Sequence, residues 1–217
     1  RDVERSRGLG DVYKRQILIT SNRGLAGGYN SNAVKLLTKD ERFTTENTVV
    51  YAVGTKGRDS VEREGYTIAG DYSEAINEPL YADASEIGKE VLSKFTMGEI
   101  GEIYLIYTIF KNTMVQIPTM MKLLPINASD ITADAEDVEE NPIDRITLMN
   151  YEPAPEEALN AIIPKYVNSL IFGGLVESHA SENGARMQAM DSATSNAEEM
   201  ISDLSLKYNR ARQASIT

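Results

Sequence analysis

The last fifty residues constrain this chain most. After Pro164 there is no further proline, and after Gly184 no further glycine. Small or apolar residues recur at Ala185, Ala189, Ala193, Ala197, Met200, Leu204, Tyr208 and Ala211, in steps of three and four. Such a row occupies one face of a helix. A helix from Pro164 to about Ser215 is roughly 75 Å long. A compact domain of this size is much narrower, so the helix must protrude. Packing rather than propensity holds most helices together, so a protruding apolar stripe needs a partner. The alanines mark where that partner comes close, and the segment reads as a shaft.

The first sixteen residues read differently. Arg1 to Gln16 has little apolar periodicity, two glycines and no apolar stretch of the signal-peptide kind. Asp11-Val-Tyr-Lys-Arg-Gln16 can be encoded by GATGTGTATAAGAGACAG, the end of a common transposase adapter used in DNA library preparation. Residues 1–16 are therefore expected to be translated adapter on a truncated gene, the alternative being a basic N-terminal arm. The chain also reaches Thr217 without a helix stop signal, so both ends are expected to be cut.

Charge excludes several partners. The chain has 22 Lys and Arg against 33 Asp and Glu, a net charge of -11. Without residues 1–16 the balance is 17 against 30, or -13. This argues against a nucleic-acid footprint and against direct binding to anionic lipid. There is no cysteine, which removes disulfides, zinc-thiolate sites and thiol nucleophiles. No stretch approaches the length of a membrane span.

Between these ends the pattern is α/β. Ile17 to Thr20 reads as a buried strand, Tyr29 to Thr38 as a helix, and Thr48 to Val53 as a second strand. Tyr66 to Ala69 is a short third strand, and Leu80 to Phe95 has helical spacing. Glu102 to Phe110 is the strongest strand signal. Thr113 to Leu124 is read as its antiparallel neighbour, turned at Lys111-Asn112. The expected fold is a mixed-sheet, Rossmann-like α/β domain over residues 17–150. It carries an acidic exposed loop at Asn127 to Asn141 and a last short strand at Ile146 to Met149. Residues 151–217 follow as a stiff turn at Tyr151 to Pro155, a short helix from Glu156 to Ile163, and the long helix. Pro164 is placed in the first turn of that helix, and Gly173-Gly174 is a weak point in it.

Motif by motif, the chain offers no catalytic residue. Arg23-Gly-Leu-Ala-Gly-Gly28 stands where a dinucleotide loop would, but its glycines are not spaced as G-x-G-x-x-G; a tight structural turn is favoured. Gly54-Thr-Lys-Gly57 lacks the upstream glycine and the Ser or Thr of a phosphate loop. His179 is the only histidine and reads as a helix-surface residue. Glu198-Glu199 and Glu139-Glu140 read as solvated charge, and no metal-ligand cluster stands out. Arg210, Arg212 and Gln213 read, from the residues alone, as a solvated basic helix end.

Two segments resemble the gamma subunit of F-type ATP synthase. One is Ile19-Thr-Ser-Asn-Arg-Gly-Leu-Ala-Gly-Gly-Tyr-Asn30, where the family usually has Asp at the position of Asn22 and often Cys at that of Ala26. The other combines Ala180-Ser-Glu182, Ala185-Arg-Met187, Ala189-Met190, Ala193-Thr194, Asn196-Ala197, Leu206, Tyr208-Asn209 and Arg212-Gln-Ala-Ser-Ile-Thr217. Pro118-Thr119, Leu123-Leu-Pro125 and Tyr151-Glu-Pro153 match between them. The resemblance implies a non-catalytic rotor shaft without a cofactor. Its long terminal helices form an antiparallel coiled coil inside a hexamer of alpha and beta subunits, and its foot meets the epsilon subunit and the c ring. The adapter reading of residues 1–16 points to a bacterial source, which puts the expected complex at the cytoplasmic face of the plasma membrane. Arg212, Gln213 and Thr217 are then expected to contact a beta-subunit loop. Ala189, Met190, Ala193, Ala197, Met200, Leu204 and Tyr208 form the coiled-coil seam, and Tyr151 and Glu152 lie at the foot. Residues 17–217 alone are expected not to support rotation-coupled catalysis. Two rivals stay open: a nucleotide-binding α/β enzyme with a helical tail, and a coiled-coil adaptor unrelated to ATP synthase.

Overall fold

The computed structural model describes residues 14–126 and 155–216, with side chains in the second stretch from residue 161. The elements are β1 (Lys14–Ile19), α1 (Tyr29–Thr38), β2 (Thr48–Val53), α2 (Thr55–Arg63), β3 (Thr67–Asp71), α3 (Tyr81–Thr96), β4 (Glu102–Phe110), β5 (Gln116–Leu124) and α4 (Pro155–Ile216). A single 3-10 turn, Ser73–Ile76, precedes α3. The sheet order is β3-β2-β1-β4-β5. The first four strands are parallel, and β5 runs antiparallel to β4.

Successive strand residues point to opposite faces, and the core divides accordingly. Ile17, Ile19, Tyr51, Val53, Ile103 and Leu105 pack against Ala84, Ile87 and Val91 of α3 and Val167, Ile171 and Leu175 of α4. Leu18, Val50, Tyr104 and Ile106 pack on the other face against Ala33, Val34 and Leu37 of α1 and Val61 of α2. The mixed-sheet α/β domain with a long C-terminal helix is as the sequence pattern indicates.

Several boundaries differ. β1 begins at Lys14, so Lys14 to Gln16 pair with Thr48 to Val50 although the sequence reading set them aside. α2 was not anticipated because only Gly57 and Val61 are buried in it, too few to make an apolar row. β5 starts at Gln116 because the Asn112 side chain accepts from the amides of Met114 (2.9 Å) and Val115 (2.7 Å), holding 113–115 in the turn. Most consequentially, there is one helix of 62 residues where two were expected, and Pro164 lies inside it. Its first-turn proline is Pro155. Pro164, Ile162 and Lys165 are exposed, and the helix continues past the one hydrogen bond that the proline cannot donate. The acidic loop, the strand at 146–149 and the turn at 151–154 lie outside the described residues.

Candidate functional site

The glycine-rich segments turn out to be packing devices. Gly54 has φ +109°, and a Cβ there would stand 2.4 Å from the Thr20 carbonyl oxygen. A Cβ on Gly57 would meet the Thr20 side chain at the same distance. The Gly57 amide instead donates to Thr20 Oγ1 at 2.9 Å. In the 20–28 turn, Leu25 and Gly27 have positive φ, and the Gly27 backbone faces Ala189 of α4. Asn22 uses both ends of its amide. Its oxygen accepts from the Thr55 amide (3.0 Å) and its nitrogen donates to the Ser73 carbonyl (2.7 Å). A carboxylate could make only the first of these.

In an open α/β sheet, ligands settle beyond the carboxyl ends of the strands where the strand order reverses. Here that point lies between β1 and β4, and α4 fills it. The register pairs Leu18 with Ile106 and β1 ends one residue later, so the Thr108 backbone has outrun its neighbour. Ser178 and Ser181 replace the missing strand: the Thr108 amide donates to Ser178 Oγ at 3.1 Å, and Ser181 Oγ donates to the Thr108 carbonyl at 3.0 Å. Tyr29 closes the third side, its hydroxyl donating to the Ser178 carbonyl at 3.1 Å. Burial pushes the Tyr29 phenol well above its ordinary pKa, so it stays a donor at neutral pH. Gly174 brings α4 onto the sheet; a Cβ there would lie 3.1 Å from Leu105 Cδ2 and 3.4 Å from Ile19 Cδ1. This half of the Gly173-Gly174 pair is a contact requirement. Ser178→Ala is expected to leave a buried Thr108 amide without an acceptor and to cost about 1–3 kcal/mol, read as a lower urea midpoint at unchanged m.

Further out, α4 leaves the domain. Beside Ala189 a cavity of about 260 Å³ is lined by Gly27, Gly28, Asn32, Gln188 and Ser192. From Met190 to Ile216 every residue is exposed, a length of roughly 40 Å. At about 100° per residue, Ala189, Met190, Ala193, Ala197, Met200, Leu204 and Tyr208 fall within a sector of about 100°. Met200, Leu204 and Tyr208 are 64%, 59% and 68% exposed. The seam residues therefore form one row, and only Ala189 touches the domain. Arg212 and Gln213 are exposed near the outer end; Thr217, Tyr151 and Glu152 lie outside the described residues. His179 departs from the surface reading: its Nδ1 donates to the Ile76 carbonyl at 2.9 Å, tying α4 to the 3-10 turn. The sequence reading missed Ser178 and Ser181. Only the burial of Ser178 had a signal, since it falls in the row Ile171, Leu175, Ser178, Glu182 at helical spacing; nothing marks either hydroxyl as a strand-end partner.

Among the described residues no group of His, Asp and Glu is placed to hold a metal ion, and no helix is long and apolar enough to cross a membrane. A protein-family model described as ATP synthase matches residues 5–217. The ATP synthase gamma chain of Lachnoclostridium phytofermentans is 63% identical over 204 residues, covering 94% of this chain and 69% of its own length. The sodium ion specific ATP synthase gamma chain of Acetobacterium woodii is 42% identical over 235 residues, covering 100% and 77%. Among solved structures, the rotor of the Euglena gracilis mitochondrial ATP synthase superposes with a TM-score of 0.66 at 18% identity, over all of this chain and 79% of that one. The central stalk and c-ring structure from Tetrahymena thermophila gives 0.62 at 22% identity, over 88% and 81%. At such identities the structures speak for the fold, and the sequence relatives carry the family. The chain belongs to the ATP synthase gamma-chain family, a non-catalytic subunit of the central stalk.

Proposed function

We propose that the chain is the turning shaft of a proton-translocating F-type ATP synthase, held peripherally at the cytoplasmic face of a bacterial plasma membrane. Rotation of the c ring reaches the alpha/beta hexamer through α4. The observation that carries this is mechanical: one unbroken helix is anchored in the sheet by Gly174, Ser178 and Ser181 and then stands free from Met190 outward. Torque applied to the foot must pass into it. An asymmetric shaft biases each catalytic subunit by contacting its alternative conformations unequally.

In this reading the seam from Ala189 to Tyr208 is covered by an antiparallel helix. Arg212, Gln213 and Thr217 reach a beta-subunit loop, where charge-assisted hydrogen bonds contribute about 1.5–3 kcal/mol each. Tyr151 and Glu152 face the epsilon subunit and the c ring. Replacing Met200 and Leu204 together by Asp is expected to leave the urea midpoint of the foot domain unchanged, since both are exposed. The same change is expected to lower coupled ATP synthesis in the assembled complex at least about tenfold, because two charges would enter an apolar seam. Full coupling in that variant overturns the shaft reading. One relative is named sodium ion specific, so the ion is tested directly: hydrolysis indifferent to sodium supports proton coupling, and sodium-stimulated hydrolysis overturns it.

We also propose that Arg1 to Gln16 are translated adapter sequence. The support is local: Gln16 is fully buried and neither end of its amide has a hydrogen-bond partner. Sequencing the native locus across Ile17 tests this. An apolar residue encoded at position 16 agrees with the proposal, and a native Gln16 contradicts it.

A further inference from the structure

From Tyr107 onward β4 runs past the parallel strands. Its last pairing with β1 joins Ile106 to Leu18, while its pairing with β5 continues from Tyr107 and Thr119 to Phe110 and Gln116. The end of the hairpin, residues 107–119, therefore projects beyond the sheet, and α4 climbs beside it. A Cβ on Gly174 would lie 3.1 Å from Leu105 Cδ2 and 3.5 Å from Tyr107 Cβ. Ser178 and Ser181 hold the Thr108 backbone. A Cβ on Gly184 would lie 3.1 Å from Phe110 Cε2. Gly174, Ser178, Ser181 and Gly184 follow in steps of three and four, on one face of the helix. The two rods keep pace: α4 rises roughly 15 Å from Gly174 to Gly184, and β4 roughly 17 Å from Leu105 to Phe110.

The projection is stiff. At its tip the Lys111 and Asn112 amides donate to the Val115 carbonyl at 3.3 and 3.2 Å. Gln116 Nε2 donates to the Thr113 carbonyl at 2.7 Å, and Asn112 Oδ1 holds the amides of Met114 and Val115. The tip meets α4 with backbone as well as side chain, since Thr113 Cα is 3.6 Å from the Gly184 Cβ position. Phe110 belongs to neither core cluster and is 38% exposed. Its ring is not needed to fill the domain, and what it meets is the helix.

We infer that the projecting hairpin end is the arm by which the foot turns α4, with Phe110 against Gly184 as its outer point of contact. The inference rests on the shaft reading of α4. Torque about the axis of a helix passes only through contacts that stand off that axis, and a single such contact leaves the helix free to tilt. The arm supplies contacts at successive levels along roughly three turns. Glycine at the outermost level is unfavourable for a helix interior by about 1 kcal/mol, and it leaves the room that the ring and the Thr113 backbone occupy. Phe110 and Gly184 are positioning residues, acting through where they hold α4 under load.

The test uses the assembled complex and a cysteine pair, Thr113→Cys with Gly184→Cys, in a chain that has no other cysteine. The 3.6 Å separation brings the pair within disulfide reach. Phe110→Ala alone is expected to lower ATP synthesis driven by an ion gradient at least about threefold. It is expected to leave unloaded ATP hydrolysis by the detached hexamer and shaft unchanged, because only synthesis draws its torque from the foot. In the triple variant, oxidation to the disulfide restores synthesis and dithiothreitol removes it again, while the parent complex ignores both treatments. The same folded protein is thus read with the arm tied and untied. Parent-level synthesis in Phe110→Ala overturns the arm, as does an equal fall in synthesis and unloaded hydrolysis, which reports only a packing role. A triple variant indifferent to the disulfide overturns it too, and a pair that does not oxidise overturns the contact itself. In each case the shaft reading stands while the double Asp variant at Met200 and Leu204 stays uncoupled; full coupling in that variant removes both.

Discussion

Gly54→Ala is expected to destabilise the foot domain by about 3 kcal/mol or more. Two effects add. The residue sits at φ +109°, where an L side chain is strained, and the new carbon would stand 2.4 Å from the backbone oxygen of Thr20. A backbone carbonyl between β1 and β2 cannot swing aside as a side-chain tip can. The Thr20 amide donates to the Val53 carbonyl at 2.7 Å, so any retreat breaks the parallel pair at the centre of the sheet. Gly65→Ala separates strain from collision: φ there is +88°, but the nearest atom to its Cβ is 3.8 Å away. It is expected to cost only about 1–2 kcal/mol. Urea unfolding of the two variants checks the pair. Equal losses would mean that the contact with Thr20 contributes nothing.

Gln16→Leu works in the opposite direction. Gln16 pairs in the sheet with Val50 and Tyr104, on the same face as Leu18, and is fully buried. Neither its amide nitrogen nor its amide oxygen finds a partner. A buried amide without hydrogen bonds costs about 1–3 kcal/mol, and an apolar group of similar size removes that cost. The variant is expected to be more stable by about that amount, with unchanged m. The neighbouring Arg15 has its Nε buried without a partner and its guanidinium 5.9 Å from the centre of the Tyr51 ring, a second polar misfit in the same strand. A Gln16→Leu protein no more stable than the parent would contradict the burial argument.

How much could be read beforehand follows from which residues carry a periodic signal. Tyr29 to Thr38, Thr48 to Val53 and Glu102 to Phe110 have the bounds expected, because their apolar positions follow the element's own period. α2 has no such row, since Gly57 and Val61 alone meet the core. Pro164 was read by its usual place at a helix start, but that rule ranks only local preferences. A helix whose later turns are buried against β1 and β4 tolerates one lost hydrogen bond at an exposed proline. The protruding row was legible because its small and apolar residues keep one helical spacing even where, among the described residues, nothing beyond Ala189 is buried. The serine pair at the root was not legible as a site. A hydroxyl that replaces a missing strand looks, in sequence, like any polar residue on a helix.

The most direct test of the shaft is hydrogen exchange along α4. Most helical stability in proteins comes from packing rather than propensity, and every residue from Met190 to Ile216 is exposed. In the free chain the amides of that stretch are therefore expected to exchange quickly, while those from Val167 to Ser181 are protected. On assembly with the alpha and beta subunits, protection is expected to extend outward along the whole row from Ala189 to Ala211. Protection that still ends at the root after assembly would mean that nothing covers the seam and that α4 is not the shaft.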